Sequence, residues 1–466
     1  MSRYQELAQQ FVSDIEQGRR KPGSRLPSLR QLAKQQAVSL STAISCYQEL
    51  ESQGRIHARP QAGYFVSASA VSHATPEWTQ FVSQISAAKP NHQLPAAFNG
   101  PLGVSSTHSE AADVIELERS FRRAVKRMGD RLNRYPDSRG ELSLRTALSD
   151  HFTPLGLHFS PDEVVVTSGC MSAIKTALEA CTQPGDAIAI SSPCFNGILQ
   201  LLGEMSRSIV EIPSLNDGVD LAQLETHFQQ GVVTAAIFCT SHMNPQGMTM
   251  SVKQKQALAK LANQYQIPVI EDDVYLELSH EETTPLPAKC YDTDGYVLWC
   301  GSVSKSLSPG YRLGWCLPGR YLETYQRRFS VSSYGVATPM QLAVADYIAS
   351  GHYARQVKKR RQKLAQLKRE YLQYLSAHLP AEVKISQPQG GMVIWLQIPA
   401  LDADAFAKQA QEQRLDVRLG QLFTTLDLYQ DCLRINAGYP LQDEAKAQLD
   451  TLLALIHQCR QSDKRS

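Results

Sequence analysis

A lysine in the middle of the chain lies among residues that could hold a phosphate. Lys305 follows the apolar run 297–299 and is flanked by serines, and Arg312 comes seven residues later. Serine hydroxyls and a guanidinium can bind a phosphate, while a lysine amine can condense with an aldehyde of the same molecule. These residue types suit a Schiff-base lysine beside a phosphate. For the local pattern by itself, the alternative is a solvated lysine in a loop.

The elements that would position this lysine can be predicted from hydrophobic patterning. From about residue 98, short β-branched runs at 164–166, 188–190, 236–238, 269–270 and 297–298 alternate with helical stretches at 172–181, 197–205 and 251–265. This alternation predicts a doubly wound, mostly parallel sheet. Ligands of such sheets bind at the carboxyl ends of the strands, where Lys305 falls.

Other candidate residues follow the same runs. Gly169, Cys170 and Met171 begin a helix after the first run, and helix N-terminal amides can bind phosphate. Asp272 follows the fourth run, and a buried carboxylate there needs a cation such as a protonated pyridine nitrogen. The simpler interpretation of the first group is the ordinary geometry of a strand–helix turn.

Three further residues could contact an aromatic ligand. Tyr275 and Asn244 could reach a phenolic ring oxygen, and Phe195 could stack on the ring. Asn-Pro is by default a turn signal, and Phe195 is most simply a core aromatic. Each residue is therefore ambiguous when it is considered alone.

The N-terminal segment has a different pattern. A first helix is predicted from apolar residues at helical spacing, and it ends at Gly18. A second helix begins at Ser28, which has capping-box spacing to Gln31. Ser39 or Ser41 then caps a third helix. Alternating residues around a turn at 59–63 predict a β-hairpin. Three helices and a hairpin are typical of a winged helix-turn-helix; the alternative is a small helical protein–protein module with a solvated basic face.

Charge supports nucleic acid as the partner of this segment. Positions 1–67 contain nine basic and five acidic residues, whereas the whole chain of 466 residues has a net charge of +2. A basic end on a nearly neutral chain is typical of a DNA-binding module. The residues expected to meet phosphates or base edges are Arg25, Arg30, Ser39, Ser41, Thr42 and Arg59.

Cysteine spacing and hydropathy argue against a zinc-binding, a secreted and a membrane-spanning protein. The ten cysteines form no CxxC pair and no cluster with zinc spacing, so we expect reduced, mostly buried thiols and no metal site. The N-terminus has no apolar signal core, and no apolar run is long enough to span a bilayer. We therefore expect a cytoplasmic protein without a membrane partner.

The N-terminal segment closely resembles the GntR-type winged helix over residues 4–66. The matching motifs are Tyr4-Gln5-x-Leu7-Ala8, Pro22-Gly23-x-Arg25-Leu26-Pro27-Ser28-x-Arg30-x-Leu32-Ala33, Tyr47-x-x-Leu50-Glu51-x-x-Gly54 and Ala58-Arg59-Pro60-x-x-Gly63-x-Phe65-Val66. Leu40 stands where many relatives carry arginine at the start of the recognition helix. Base recognition is therefore expected to rely on Ser, Thr and an apolar contact.

Residues 98–458 resemble the class I, fold-type I aminotransferases, which depend on pyridoxal 5′-phosphate (PLP). The resemblance implies an α/β fold with a large, mostly parallel sheet and a smaller C-terminal α+β part. The resemblance implies a PLP aldimine at Lys305, Asp272 at the pyridine nitrogen, and Tyr275 and Asn244 at the ring oxygen. It places around the phosphate Gly169, Cys170, Met171, Ser302, Ser304 and Arg312. Tyr135 matches the tyrosine that reaches the phosphate in the partner subunit, and Arg434 matches the arginine that clamps the substrate α-carboxylate. Two departures are Cys170-Met171 in the phosphate loop and Phe195 where tyrosine is common.

A GntR-type reader joined to an aminotransferase-like domain resembles the MocR/GabR family of transcriptional regulators. The resemblance implies a homodimer that binds PLP, an operator with paired half-sites, and PLP itself or a small amino compound sensed as an aldimine at Lys305. The expected domains are a winged helix at 1–67, a linker at 68–97 with some helix near 78–85, a PLP-binding domain at 98–458 and a tail at 459–466. The alternatives are an active aminotransferase with a DNA-binding domain, and a dimerisation scaffold that has lost PLP.

Overall fold

The computed structural model describes residues 3–52, 55–59, 62–66, 73–87, 100–108, 111–281 and 283–460. The chain divides into two compact units. One comprises Met1–Ala74 and Gln366–Val383, and the other comprises Thr75–Ala365 and Lys384–Ser466. Among the described residues, no helix combines the length and the apolar character needed to cross a membrane.

The first unit contains the predicted three helices and hairpin. The helices are α1 (Arg3–Glu16), α2 (Leu29–Gln35) and α3 (Leu40–Ser52), and the antiparallel strands are β1 (Ile56–Arg59) and β2 (Gly63–Val66). Their apolar faces form one core in which Tyr47 packs edge-on against Phe11 and Tyr64. The prediction of a winged helix-turn-helix arrangement is confirmed.

Helix starts in this unit follow the predicted capping signals. The Ser28 hydroxyl accepts from the Gln31 amide at 3.3 Å, and the Gln31 side chain accepts from the Ser28 amide at 2.9 Å. Before α3, the Ser39 hydroxyl accepts from the Thr42 amide at 3.1 Å. Of the two predicted caps, Ser39 is therefore the one that satisfies an otherwise unpaired N–H of the first turn.

The second unit is built on a large sheet that is mostly parallel, as predicted. Its strands are β3 (Ile85–Ala87), β4 (Val165–Thr167), β5 (Ala187–Ser192), β6 (Ser208–Leu215), β7 (Gly218–Val219), β8 (Ala235–Phe238), β9 (Val269–Asp272), β10 (Val297–Ser302) and β11 (Gly314–Leu317). The strand order is β3-β6-β5-β8-β9-β10-β11-β4, with β7 paired to β6. Strands β6, β5, β8, β9 and β10 are parallel, whereas β3, β7 and β11 run antiparallel to their neighbours.

Helices cover both faces of this sheet. They are α4 (Ala111–Met128), α5 (Leu142–Phe152), α6 (Cys170–Cys181), α7 (Asn196–Glu204), α8 (Leu221–Gln229), α9 (Val252–Tyr265), α10 (Val303–Ser306), α11 (Leu322–Ser333), α12 (Thr338–Ala349) and α13 (His352–His378). Helix α13 belongs to this unit up to Ala365, and its residues from Gln366 onward belong to the first unit. Along β5, Ile188 and Ile190 belong to one core cluster, while Ala187 and Ala189 belong to another. Because successive strand residues point to opposite faces, these two clusters lie on opposite sides of the sheet.

A smaller antiparallel sheet follows, as the predicted C-terminal α+β part requires. It contains β12 (Lys384–Ile385), β13 (Val393–Gln397), β14 (Arg418–Leu419) and β15 (Cys432–Asn436) in the order β12-β13-β15-β14. Helices α14 (Ala403–Glu412) and α15 (Asp443–Cys459) pack against each other. Arg434 lies in the middle of β15, where both neighbouring strands hold it.

The helical stretch expected near residues 78–85 is absent, and that expectation is wrong. Residues 73–84 are irregular, and Ile85–Ala87 forms β3 against β6. Side chains from elsewhere satisfy the backbone here: Gln223 accepts from the Ser83 amide at 2.8 Å and donates to the Phe81 oxygen at 2.9 Å. The apolar Trp78 packs against a cluster of the small sheet, so its spacing reflects tertiary contacts rather than a helix face.

Cysteine burial agrees with the expectation of mostly buried thiols. All ten cysteines are free, and seven of them are buried. Cys300 and Cys316 lie opposite each other on β10 and β11, with their sulfur atoms 3.7 Å apart.

Candidate ligand-binding site

The ends of three strands of the large sheet, the neighbours β9 and β10 and the edge strand β4, bring several candidate residues together. Asp272 is the last residue of β9, Ser302 is the last residue of β10, and Gly169 follows β4 and caps α6. Cys170, the first residue of α6, donates from its sulfur to Asp272 Oδ1 at 3.2 Å. The carboxyl edge of the sheet therefore carries a buried carboxylate beside a helix N-terminus.

Lys305 is half-buried on the short helix α10, directly after β10. Its Nζ donates to the backbone oxygen of Ser105 and lies 5.8 Å from the centroid of the Tyr275 ring. Burial and, to a smaller extent, the charge of Arg434 lower the pKa of Lys305 to about 8, while Asp272 opposes the change. A substantial fraction of the amine is therefore neutral, and nucleophilic, near physiological pH.

Asp272 combines burial with polar contacts. Burial raises the pKa of Asp272, while the Cys170 thiol, the Val274 amide and Lys305 hold it down. A cationic nitrogen placed against this carboxylate would replace the solvation that burial removes. The site is therefore suited to a protonated heterocycle.

Asn244 and Tyr275 face each other next to Asp272. The Asn244 side-chain amide donates to the Tyr275 hydroxyl at 3.3 Å. Burial raises the pKa of Tyr275 above its usual range, so the phenol stays protonated. Both side chains can consequently donate a hydrogen bond to an anionic oxygen.

Arg434 is buried, and its guanidinium contacts Asn244 and the loop that contains Gly103 and Ser105. Its Nη1 donates to Ser105 Oγ at 2.6 Å and to Asn244 Oδ1 at 3.4 Å, and its Nη2 donates to the backbone oxygen of Gly103. Its Nε has no hydrogen-bond partner within the described residues. Burial lowers the pKa of Arg434 to about 10, which keeps the side chain cationic at neutral pH. A buried guanidinium with donor capacity to spare is suited to binding a carboxylate.

A narrow cradle lies between α6 and Arg312. Gly169 has φ +109°, and a Cβ at this position would come within 2.6 Å of Arg312 Nη2. The Arg312 guanidinium also donates to Ser304 Oγ and to the Ser168 backbone oxygen, each at 3.4 Å. The Ser302 and Ser304 hydroxyl oxygens are 2.8 Å apart. Hydroxyls, a cation and helix amides thus face one small space, a donor set typical of phosphate sites.

Three predicted residues lie apart from these hydrogen-bonded groups. Met171 and Phe195 are half-buried and pack against the main core of the sheet. Tyr135 is 90% exposed, and its ring centroid lies 6.4 Å from that of Tyr334. Within one chain, Tyr135 is therefore not part of the Lys305 site.

Sequence reasoning missed the loop that touches the site most directly. Gly103 and Ser105 accept hydrogen bonds from Arg434, and Ser105 also accepts from Lys305. Asp416 anchors the same loop by accepting from the Gly100 amide at 2.9 Å. A serine in a short Gly- and Ser-rich stretch carries no sequence signal, because its role depends on partners about 200 and 329 positions away.

The expected DNA-contacting residues lie in the first unit. Ser39 and Ser41 are exposed at the start of α3, and their hydroxyl oxygens are 2.8 Å apart; Thr42 is half-buried beside them. The exposed Arg30 is on α2, and Arg25 is exposed near the hairpin residue Gly63. The side chain of Arg59 lies outside the part of the chain that the structure describes. Next to the serines, Leu40 is 47% exposed, and a contact to a thymine methyl group is available to it.

Comparison with known proteins agrees with this two-module organisation. The family described as "Bacterial regulatory proteins, gntR family" matches residues 3–66. The family described as "Aminotransferase class I and II" matches residues 101–447. The two matches therefore cover the winged helix and the sheet-based unit separately.

Two similar proteins align with most of the length of this chain. The HTH-type transcriptional regulator YdcR of Escherichia coli is 34% identical over 475 residues, covering 97% of this chain and 99% of that protein. The HTH-type transcriptional regulator TauR of Rhodobacter capsulatus is 25% identical and covers 90% of this chain and 88% of its own. Regulators of this kind thus contain both modules in the same order.

Solved structures establish the fold of the larger module. A multiple substrate aminotransferase of Thermococcus profundus superposes with a TM-score of 0.71 at 22% identity, covering 77% of this chain and 91% of that one. A Pyrococcus horikoshii kynurenine aminotransferase superposes with a TM-score of 0.71 at 23% identity, covering 78% of this chain and 93% of that one. Class I aminotransferases are PLP-dependent, and the buried Asp272, the cradle at Gly169 and the amine of Lys305 provide donors and acceptors of the types that PLP requires. The chain belongs to the MocR type of GntR regulators, PLP-binding transcriptional regulators that join a winged helix to a class I aminotransferase domain.

Proposed function

We propose that this chain is a homodimeric regulator whose DNA binding responds to PLP itself or to a carboxylate-bearing amino compound at the Lys305 site. The observation that carries the proposal is the convergence of Lys305, Asn244 and Arg434 on the single residue Ser105. An amine-reactive lysine and a carboxylate-binding arginine at one point select a ligand that carries both an amine and a carboxylate.

The residues of the site divide the binding of PLP among them. Lys305 would attach the aldehyde covalently, and Asp272 would hold the ring nitrogen. Asn244 and Tyr275 would donate to the ring oxygen. The phosphate would be held by Gly169, Cys170, Ser302, Ser304 and Arg312. The resemblance adds Met171 to the phosphate set and Phe195 to the ring, although both pack against the core of the sheet within one chain. When bound, PLP supplies an electrophilic carbon and an electron-withdrawing ring.

Arg434 is the residue that would bind the carboxylate of the effector. Within the described part of the chain its Nε is unpaired, and its two terminal nitrogens donate hydrogen bonds that a ligand could replace. A ligand carboxylate takes hydrogen bonds that now go to Ser105 Oγ and the Gly103 oxygen. Lys305, with its lowered pKa, holds or releases one proton as the ligand amine approaches. Tyr275 remains a hydrogen-bond donor throughout this exchange.

An exposed apolar patch supports the homodimer. Leu132, Tyr135, Leu142, Val331 and Tyr334 are 53%, 90%, 59%, 77% and 73% exposed. Pro136 and Gly335 are in contact range, which joins the segment before α5 to the end of α11. Large apolar side chains clustered on a surface mark a protein–protein interface. A second copy would cover this patch and bring Tyr135 to the phosphate of the partner subunit's site.

A two-fold dimer matches an operator with paired half-sites, because each subunit contributes one winged helix. The ligand changes DNA binding only to the extent that its affinity differs between two arrangements of the dimer.

We further propose boundaries of 1–67 for the reader, 68–97 for the linker, 98–458 for the PLP-binding domain and 459–466 for the tail. The family matches at 3–66 and 101–447 support these limits.

A second candidate function is an active aminotransferase that also binds DNA. The complete set of Lys305, Asp272, Tyr275 and Arg434 at one site favours it. Incubation of the protein with amino donors and a keto acid separates the two functions. Many turnovers of product keto acid would establish the enzyme, whereas ligand-dependent DNA binding without turnover fits the regulator.

The direct test is Lys305→Ala, with Lys260→Ala as a control because Lys260 is exposed on α9. We expect Lys305→Ala to lose the absorbance of the covalently bound cofactor and the effect of amino compounds on DNA binding. Lys260→Ala should retain both. An unchanged ligand response in Lys305→Ala would eliminate the covalent part of the proposal.

A further inference from the structure

Positive charge is concentrated on the long helix α13. Its 27 residues include eight Lys or Arg and a single acidic residue, Glu370. The whole chain has 47 basic and 45 acidic residues, so the remainder holds 39 basic and 44 acidic residues and is net negative. The nearly neutral total therefore conceals a strongly basic helix outside the winged-helix segment.

Helical spacing separates this charge from the core. Tyr353, Val357 and Leu364 are buried at a spacing of three to four residues or its multiples, which defines the packed side of α13. Arg355 and Lys358 fall on the opposite side and are exposed. We use "basic face" for Arg355, Lys358 and Lys363, of which the first two are exposed and the last is half-buried.

Another arginine-rich helix of the same unit lacks this property. On α4, Arg123 and Arg127 both pair with Asp346, at 2.6 Å and 3.2 Å. Arg355 and Lys358, by contrast, take part in no ion pair within the described residues. Arg123 and Arg127 of α4 are thus paired locally, whereas Arg355 and Lys358 keep their charge for an external anion.

We infer that the basic face of α13 binds the phosphate backbone of duplex DNA. The inference rests on the DNA binding named in the proposed function and adds a second contact surface to the winged helix. From Arg355 to Lys363 the helix rises about 12 Å, whereas duplex DNA carries one phosphate per about 1.7 Å of axis. The three cations of the basic face can therefore reach several phosphates of one duplex at the same time. Contacts of this type carry no base specificity, so they strengthen binding to any sequence.

Charge reversal on the full-length, PLP-loaded protein tests the inference. The test variant is Arg355→Glu with Lys358→Glu, and the control is Lys253→Glu with Lys260→Glu on α9, where both lysines are exposed. The two variants have the same net charge, so a difference between them reports position. Affinity for a generic duplex is measured by fluorescence anisotropy over a series of salt concentrations. Retained cofactor absorbance verifies the fold.

We expect the α13 variant to bind at least about tenfold more weakly than the control at low salt. Its slope of log affinity against log salt should be shallower by about 2, because two phosphate contacts are lost. Equal affinities and slopes for the two variants would overturn the inference.

A third variant, Arg25→Glu with Arg30→Glu, distinguishes this failure from failure of the proposed function. If it alone weakens binding, the winged helix reads DNA and the basic face does not. If the wild-type chain binds no duplex, the inference and the proposed DNA binding fail together.

Discussion

At the residue scale, the surroundings of Lys305 determine its reactivity. An ordinary lysine has a pKa near 10.4 and is almost fully protonated at neutral pH. Here burial, with Arg434 and Arg312 nearby, lowers the pKa to about 8, although Asp272 opposes the change. The cationic form of Lys305 is disfavoured because burial removes water from the ammonium group and because Arg434 and Arg312 repel it.

The lowered pKa predicts how cofactor attachment depends on pH. The neutral amine is the nucleophile, so the rate should rise from pH 6 to pH 9 with a midpoint of about 8. Arg434→Gln removes a positive charge and should move the midpoint upward. Stopped-flow absorbance after mixing the cofactor-free protein with PLP measures this rate. A midpoint near 10 in the wild type, or no shift in Arg434→Gln, would contradict the assignment.

Ser105 illustrates a residue whose importance is visible only in the folded chain. Its hydroxyl accepts from the buried cation Arg434 at 2.6 Å, whereas the neighbouring Ser106 hydroxyl lies 2.8 Å from the Tyr439 hydroxyl. We expect Ser105→Ala to lower the free energy of unfolding by about 1.5–3 kcal/mol, because a hydrogen bond to a charged group is lost. Ser106→Ala should cost about 0.5–1.5 kcal/mol. Urea unfolding of the cofactor-free protein compares them, and equal costs would refute the role given to Ser105.

At the element scale, the central strands were predictable and several flanking strands were not. Strands β5, β8, β9 and β10 contain continuous apolar runs, which is the pattern of strands buried on both faces. Strand β6 is equally buried but contains Glu211, which accepts from the hydroxyls of Thr424 and Thr425 and from the Ser192 hydroxyl. A buried carboxylate is tolerable only with such partners, and the sequence gives no sign of partners so distant.

The start of α6 provides a prediction for the phosphate cradle. In Gly169→Ala, a Cβ would come within 2.6 Å of Arg312 Nη2, while in Gly185→Ala nothing lies within 4 Å of the added carbon. Both glycines have positive φ, +109° and +93°, so both variants carry backbone strain. Only Gly169→Ala should also displace the guanidinium and weaken PLP binding, by about tenfold or more. Titration of PLP into both cofactor-free variants tests this, and equal affinities would argue against a phosphate at this position.

At the whole-molecule scale, the order of modules was predictable because each has its own local signature. Capping residues and turn residues define the winged helix, and alternating apolar runs define the large sheet. The assembled site was less accessible to sequence reasoning. Residues 105, 244, 305 and 434 meet across separations of up to 329 positions, and only resemblance to a family connected the last three. The basic character of α13 was similarly hidden by the near-neutral total charge.

Regulation in this account is a property of the dimer. We propose that the ligand acts at Lys305 and Arg434 and that α3 and the hairpin of the first unit read DNA. A bound ligand shifts the balance of dimer arrangements only by its difference in affinity for them. By linkage, DNA must change the affinity for the ligand by the same factor.

The most direct measurement is a footprint of the purified protein on the DNA upstream of its own gene, with and without PLP and in the Lys305→Ala variant. The account predicts protection of two half-sites in the wild type, with a spacing or an affinity that changes when PLP is added. Lys305→Ala should protect the same DNA without responding to PLP. A footprint that is identical with and without PLP, or a response that persists in Lys305→Ala, would contradict the central claim that this regulator senses its ligand at Lys305.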